Sequence, residues 1–146
     1  MPHFTFPLSP DGMIVQAMFG LNGAATAALV QTGQPVARPI QVRGLLDNGT
    51  DATAIAPHVF QKLGLKSQVS GTSQTAAGQV TVNLYRVSLG ITGPAGGTGS
   101  ALVLPDLLVS ELTATLPNID ALIGMDVLRQ CLLVLDGPGQ QFILGF

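Results

Sequence analysis

Between Val80 and Ile91 the chain alternates: Val80, Val82, Leu84, then Val87, Leu89 and Ile91 are apolar, with other residues between. Successive side chains of a strand point to opposite faces, so this spacing predicts a half-buried strand. With the polar stretch before it, residues 67–91 predict a long hairpin turning at the small residues Thr75-Ala76-Ala77-Gly78. Other segments read the same way. Residues 13–20 and 24–31 flank Leu21-Asn22-Gly23, a turn by composition, and predict an N-terminal hairpin. Residues 35–47 are held extended by Pro35 and Pro39, with Ile40, Val42, Leu45 and Leu46 as apolar sites. A short strand follows over 51–55, a buried strand split by Pro105-Asp106 over 101–112, and a hairpin turning at DGPG over 131–146. Two short helices complete the expectation. Residues 56–65 carry Pro57 at the first helical position, an apolar face of Val59, Phe60 and Leu63, and Gly64 as the stop. Residues 118–130 run from a strand into the other helix. The Gly-rich stretch 92–100 is a loop; lacking lysine and opening no helix, it makes a poor phosphate cradle. The chain is expected to be mostly β.

A length of 146 residues suits one domain, 1–146, with strands and a hairpin over 1–34 and a core over about 35–146. Apolar residues make up 47% and charged residues 10%, well below the usual quarter, which suggests that another copy of the chain covers part of the surface. A net charge of −2 gives no footprint for nucleic acid. With Cys131, His3 and His58 as the only cysteine and histidines, no internal disulfide and no standard zinc set can be assembled; no metal or cofactor is expected. The stretch 13–30 is interrupted by Gln16, Asn22 and glycines, so no membrane span is expected. The N-terminus lacks a basic region typical of a signal peptide, and the expected location is cytoplasmic.

Against this background GLLDNGTDATAI, residues 44–55, stands out. An apolar run ends on Asp47, turns at Asn48-Gly49, and meets a second acid at Asp51. A buried carboxylate is costly unless paired or hydrogen-bonded. The plain alternative is a solvated acid before an Asn-Gly hairpin turn. Far downstream, Leu122-Ile123-Gly124 repeats the pattern of an apolar pair and glycine ahead of a short helix.

The two halves together resemble the retropepsin-like aspartic proteases, whose signature is an apolar pair, D-[TS]-G, a small residue, and later apolar-apolar-Gly. LIGMDVLRQCLLVLD is most similar to the retropepsin domain of DNA-damage-inducible ubiquitin shuttle proteins and to bacterial retropepsin-like peptidases. The resemblance implies a closed β-barrel-like half-pepsin with a flap hairpin, assembled as a two-fold homodimer. It further implies a catalytic Asp47 in each subunit, a supporting loop of Asn48, Gly49 and Thr50, and an extended peptide or protein substrate. The flap would be Ala76, Ala77, Gly78 and Gln79. Leu122, Ile123, Gly124 and Asp126 would be the structural second motif, with Asp126 starting the helix.

Several positions depart from the pattern or stay open. Asn48 stands where the family has Thr or Ser, whose hydroxyl forms a lattice across the dimer. Asn both donates and accepts, so it either substitutes in that lattice or, being bulkier, displaces the carboxylates. Asp51 is either an acid that binds substrate backbone or one bound to local amides. Met125 replaces the arginine of retroviral members, so their ion pair with the Asp51 position is absent. His58 reads as a surface residue, Cys131 as a buried thiol, and Asp120 and Asp136 as strand-end acids. Tyr85 and the phenylalanines are core or interface candidates. Terminal QQFILGF suits either an inter-chain sheet or an ordinary edge strand. The functional readings are an aspartic endopeptidase, an inactive dimer of the same fold serving binding or assembly, and an unrelated β-barrel binder.

Overall fold

The protein is described by a computed structural model covering residues 1–94 and 100–146. Residues 95–99, the centre of the loop expected over 92–100, lie outside the described residues. The order is β1 (His3–Pro7), β2 (Ile14–Leu21), α1 (Gly23–Gln31), β3 (Ile40–Leu46), β4 (Ala54–Ile55), α2 (Pro57–Leu63) and β5 (Val69–Thr75). Then come β6 (Gly78–Ile91), β7 (Leu102–Glu111), β8 (Ala121–Ile123), α3 (Met125–Leu128), β9 (Leu132–Asp136) and β10 (Gln141–Gly145). The chain is mostly β, as expected, with three helices among the described residues where two were predicted.

The additional helix corrects the N-terminal hairpin. Residues 24–31 form most of α1 rather than a strand. Asn22, taken for a turn residue, caps that helix: its side chain accepts the Ala25 N–H at 2.8 Å. Four alanines favour the helical backbone, and no residue of α1 is buried, so no partner strand competes for it. Instead β2 pairs with β3 on one side and β6 on the other.

That double pairing closes a barrel. The strands run β2-β3-β8-β4-β7-β6, and β6 returns to β2, with β5 attached outside the ring to β6 alone. The ring is filled by Val15, Ala17, Phe19, Val42, Leu46, Ile55, Val87, Leu89, Ile91, Val109, Ala121 and Ile123, all buried. Their alternation along each strand is what a barrel interior requires. At β6 the apolar phase changes after Leu84, which is only half-buried; Tyr85 takes the inward position and stacks on Phe60 at 3.8 Å between centroids. α2 lies over this region with Val59, Phe60 and Leu63 buried, and it stops at Gly64, whose φ of +68° suits glycine.

β7 differs from its reading in two ways. It is one strand across Pro105-Asp106, and it alternates rather than being buried throughout, since Val103 and Leu108 are exposed. The β6–β7 register skips Pro105 and Asp106, so the missing proline N–H falls at an irregularity and breaks no ladder bond.

The chain ends form a separate sheet ordered β1-β10-β9. The terminal segment is therefore a central strand, hydrogen-bonded to β1 and β9, and not an edge. The free edge on its hairpin is β9, where Leu132 is 52%, Val134 40% and Leu135 57% exposed.

Candidate active site

β3 and β8 lie side by side and parallel, pairing Gly44 with Ala121, Leu45 with Leu122 and Leu46 with Ile123. Both strands therefore end at the same level, which brings the Asp47 turn against Gly124. The Asp47 N–H donates to the Ile123 carbonyl at 2.9 Å. From there the loop is stitched to the second motif by the Met125 N–H to the Thr50 carbonyl, 2.9 Å, and the Asp126 N–H to the Asp51 carbonyl, 3.0 Å. Sequence positions more than seventy residues apart thus form one rigid corner.

Of the two glycines of the corner, Gly124 is explained by close approach. A Cβ at Gly124 would lie 2.8 Å from the Ala52 carbonyl carbon and 2.9 Å from the Thr50 oxygen, so no side chain fits. A Cβ at Gly49 would lie 3.1 Å from Asp47 Oδ1. That oxygen accepts the Gly49 N–H at 2.9 Å, which folds the turn back onto the carboxylate. Gly49 does not occupy the left-handed region, so its φ does not by itself demand glycine.

Asp47 is half-buried and Asn48 and Gly49 are exposed. Among the described residues, Asp47 Oδ2 has no hydrogen-bond partner, and the Asn48 side chain makes no hydrogen bond. The Asp51 carboxylate is exposed and bonds no local amide among the described residues. Thr50 is half-buried and donates its hydroxyl to the Ala52 carbonyl at 3.2 Å.

Asp126 does more than start α3. Its Oδ1 accepts the Val127 N–H at 2.9 Å, within the first turn of α3, whose N-cap is Gly124. The same carboxylate also accepts the Thr53 hydroxyl at 2.8 Å and the Thr53 N–H at 2.9 Å. Thr53 was not singled out from the sequence. The available signal was its position two before Ile55 in a strand, on the same inward face.

The flap expected over residues 76–79 is the β5–β6 hairpin, with Thr75 paired to Gly78 and Ala76-Ala77 exposed at its tip. Gly78 has φ +116°, a conformation reserved for glycine. The Thr75 hydroxyl donates to the Gly78 carbonyl at 2.8 Å and fixes the turn. Gln79 is exposed.

The remaining reactive groups stay apart from this corner. His58 is exposed, with Nε2 3.7 Å from Asp120 Oδ1. Cys131 is half-buried; its Sγ donates to the Val127 carbonyl and burial raises its pKa. Asp136 ends β9, and the Gly139 N–H followed by the Gln141 side chain lowers its pKa. Of two surface depressions, one of about 200 Å3 is lined by Pro57, His58, Leu112 and Asp120 among others, and one of about 210 Å3 by Phe6, Ile14, Gln16 and Gly93 among others; Asp47 lines neither. No helix among the described residues is long and apolar enough to cross a membrane.

Comparison with known proteins bears on this corner. Residues 15–127 match the sequence profile of a family described as aspartyl protease, a span that contains both Asp47 and Gly124. No curated protein matches the sequence. Among solved structures, the fold matches the crystal structure of a retropepsin-like aspartic protease from Rickettsia conorii with a TM-score of 0.60. That alignment has 17% identity and covers 99% of this chain and 91% of the other.

Proposed function

This chain belongs to the aspartyl protease family and has a retropepsin-like fold, and from that premise we propose that it is a homodimeric endopeptidase whose catalytic pair is Asp47 and Asp47 of the partner subunit. The observation that carries the reading is the Asp47 corner: a half-buried carboxylate on a braced turn, with one oxygen engaged by Gly49 and the other unpartnered among the described residues. Two such carboxylates brought to about 3 Å cannot both ionise, so they share one proton. The ionised member takes a proton from a water, which attacks the peptide carbonyl. The protonated member hydrogen-bonds the carbonyl oxygen and supplies the proton that the leaving amine needs. The proton count belongs to the pair and not to either residue.

Support for the two-fold comes from β9. Its edge exposes Leu132, Val134 and Leu135, with no charge or proline between Leu132 and Leu135. Edges left to water are usually shortened, charged or bulged, so a second β9 fits as the cover, joining the two terminal sheets. The Ala76–Gln79 flap would close over an extended substrate that adds a strand, with Asp51 accepting from its backbone. Asn48 then lies at the dimer axis beneath the pair, where its amide would take the place of the usual hydroxyl.

The test is cleavage of an unfolded protein from about pH 3 to about pH 7, with Asp47→Asn alongside and sedimentation on both. Acid-favoured cleavage lost in a still-dimeric Asp47→Asn supports the peptidase. Equal, negligible cleavage by two well-folded dimers overturns it in favour of a binding or assembly dimer.

A further inference from the structure

We propose that Thr53 is a positioning residue for the Asp47 loop, acting through Gly124 and Asp126. Thr53 is 0% exposed and is the one buried polar side chain among the described residues. A threonine hydroxyl in that setting must be satisfied, and this one bonds in both directions. It accepts the Gly124 N–H at 3.1 Å and donates to Asp126 Oδ1 at 2.8 Å. The Thr53 N–H donates to Asp126 Oδ2 at 2.9 Å, and its carbonyl accepts the Ser110 N–H from β7 at 3.1 Å.

The consequence follows from what Gly124 and Asp126 hold in turn. The backbone of the turn 123–126 accepts from Asp47 and donates to Thr50 and Asp51, so the height of the Asp47 loop is set by the height of that turn. The turn itself is pinned from below by the Thr53 hydroxyl and from the side by the Asp126 carboxylate. Thr53 thereby closes a ring that starts and ends on the loop carrying Asp47, without contact to the reacting atoms. Valine has nearly the same shape but no hydroxyl. At position 53 it leaves the Gly124 N–H without its acceptor and takes from Asp126 Oδ1 one of its two donors, the Val127 N–H remaining.

The activity arm of the test rests on the peptidase reading; the exchange arm does not. Thr53→Val and Thr53→Ser are compared with wild type in the full chain by amide hydrogen exchange and by cleavage kinetics. In Thr53→Val the Asp47 and Met125 amides should exchange at least about tenfold faster, while the Val87 amide in β6 keeps its protection. Thr53→Ser, which keeps the hydroxyl, should restore wild-type protection. In the kinetics Thr53→Val should lower kcat about ten- to hundredfold with KM nearly unchanged, because a displaced loop misplaces the carboxylates and leaves the substrate edges intact. Wild-type protection at Asp47 and Met125 in folded Thr53→Val overturns the proposal, as does a uniform loss of protection that includes Val87. A wild type that cleaves nothing yet shows the local exchange difference leaves the positioning role standing and removes the peptidase reading. If Thr53→Val does not fold, Asp126→Asn serves, since an amide cannot accept from both the Thr53 and Val127 N–H groups with both atoms. Local loosening at Asp47 supports the role, and unchanged protection contradicts it.

Discussion

Gly124→Ala would place a methyl carbon where the backbone of the Asp47 loop already sits. The built Cβ lies 2.8 Å from the Ala52 carbonyl carbon, 2.9 Å from the Thr50 oxygen and 3.0 Å from the Ala52 oxygen, while ordinary contact begins near 3.4 Å. The deficit at the nearest atom is about 0.6 Å. All three neighbours are main chain, so no side-chain rotation relieves it. Relief requires the Thr50–Ala52 segment to move away from Gly124, which stretches the Met125-to-Thr50 and Asp126-to-Asp51 bonds, now 2.9 and 3.0 Å. Overpacking of this kind costs about 1–3 kcal/mol. In the peptidase, a carboxylate loop displaced by that fraction of an ångström should lose about ten- to hundredfold in kcat. Urea unfolding read by fluorescence or circular dichroism gives the first quantity, from the midpoint at unchanged slope. Turnover of an unfolded protein substrate gives the second. A Gly124→Ala protein with wild-type midpoint and wild-type kcat would refute the reasoning, because it would mean that the corner is not packed as tightly as the distances require.

Two other perturbations probe separate parts of the account. Tyr85→Phe keeps the stack on Phe60 and removes the 2.8 Å hydrogen bond to Glu111, so it should cost about 1–2 kcal/mol at neutral pH. Burial, then the Glu111 hydrogen bond and charge, raise the Tyr85 pKa. A raised folded-state value means that this stability is present below the ordinary 10.0 and is lost as pH climbs through the folded value. Wild type should therefore lose alkaline stability that Tyr85→Phe does not, and identical urea midpoints against pH would contradict this. Leu135→Lys places a charge on the β9 edge at a side chain 57% exposed, so it should spare the fold while weakening the proposed dimer at least about tenfold. Sedimentation equilibrium reads that shift, and an unchanged dimer would move the interface away from β9.

The parts legible in the sequence were those where local chemistry and burial agree. The 67–91 hairpin, α2 with its Pro57 start and Gly64 stop, and the closing hairpin over 131–146 all lie where pattern and turn residues placed them. Asp47 and Gly124 were recognisable as a pair only through family resemblance, since no periodicity links strands so distant in the chain. Residues 24–31 were misread because alanine-rich apolar segments carry no clear period, and the capping use of Asn22 looks identical to a turn. The central place of the terminal strand was not legible because pairing partners, not propensity, decide which strand is central. Thr53 escaped notice for a related reason: its hydroxyl matters through two groups from the far half of the chain.

The central claim is that one catalytic site is built from two copies of Asp47. Wild type and Asp47→Asn can be mixed at fixed total protein and allowed to exchange subunits, with cleavage followed against the wild-type fraction. A shared pair predicts activity falling as the square of that fraction, to about a quarter at an equal mixture, because only wild-type homodimers hold two carboxylates. A linear fall, to about a half at the same point, would mean that each chain works alone and would contradict the account.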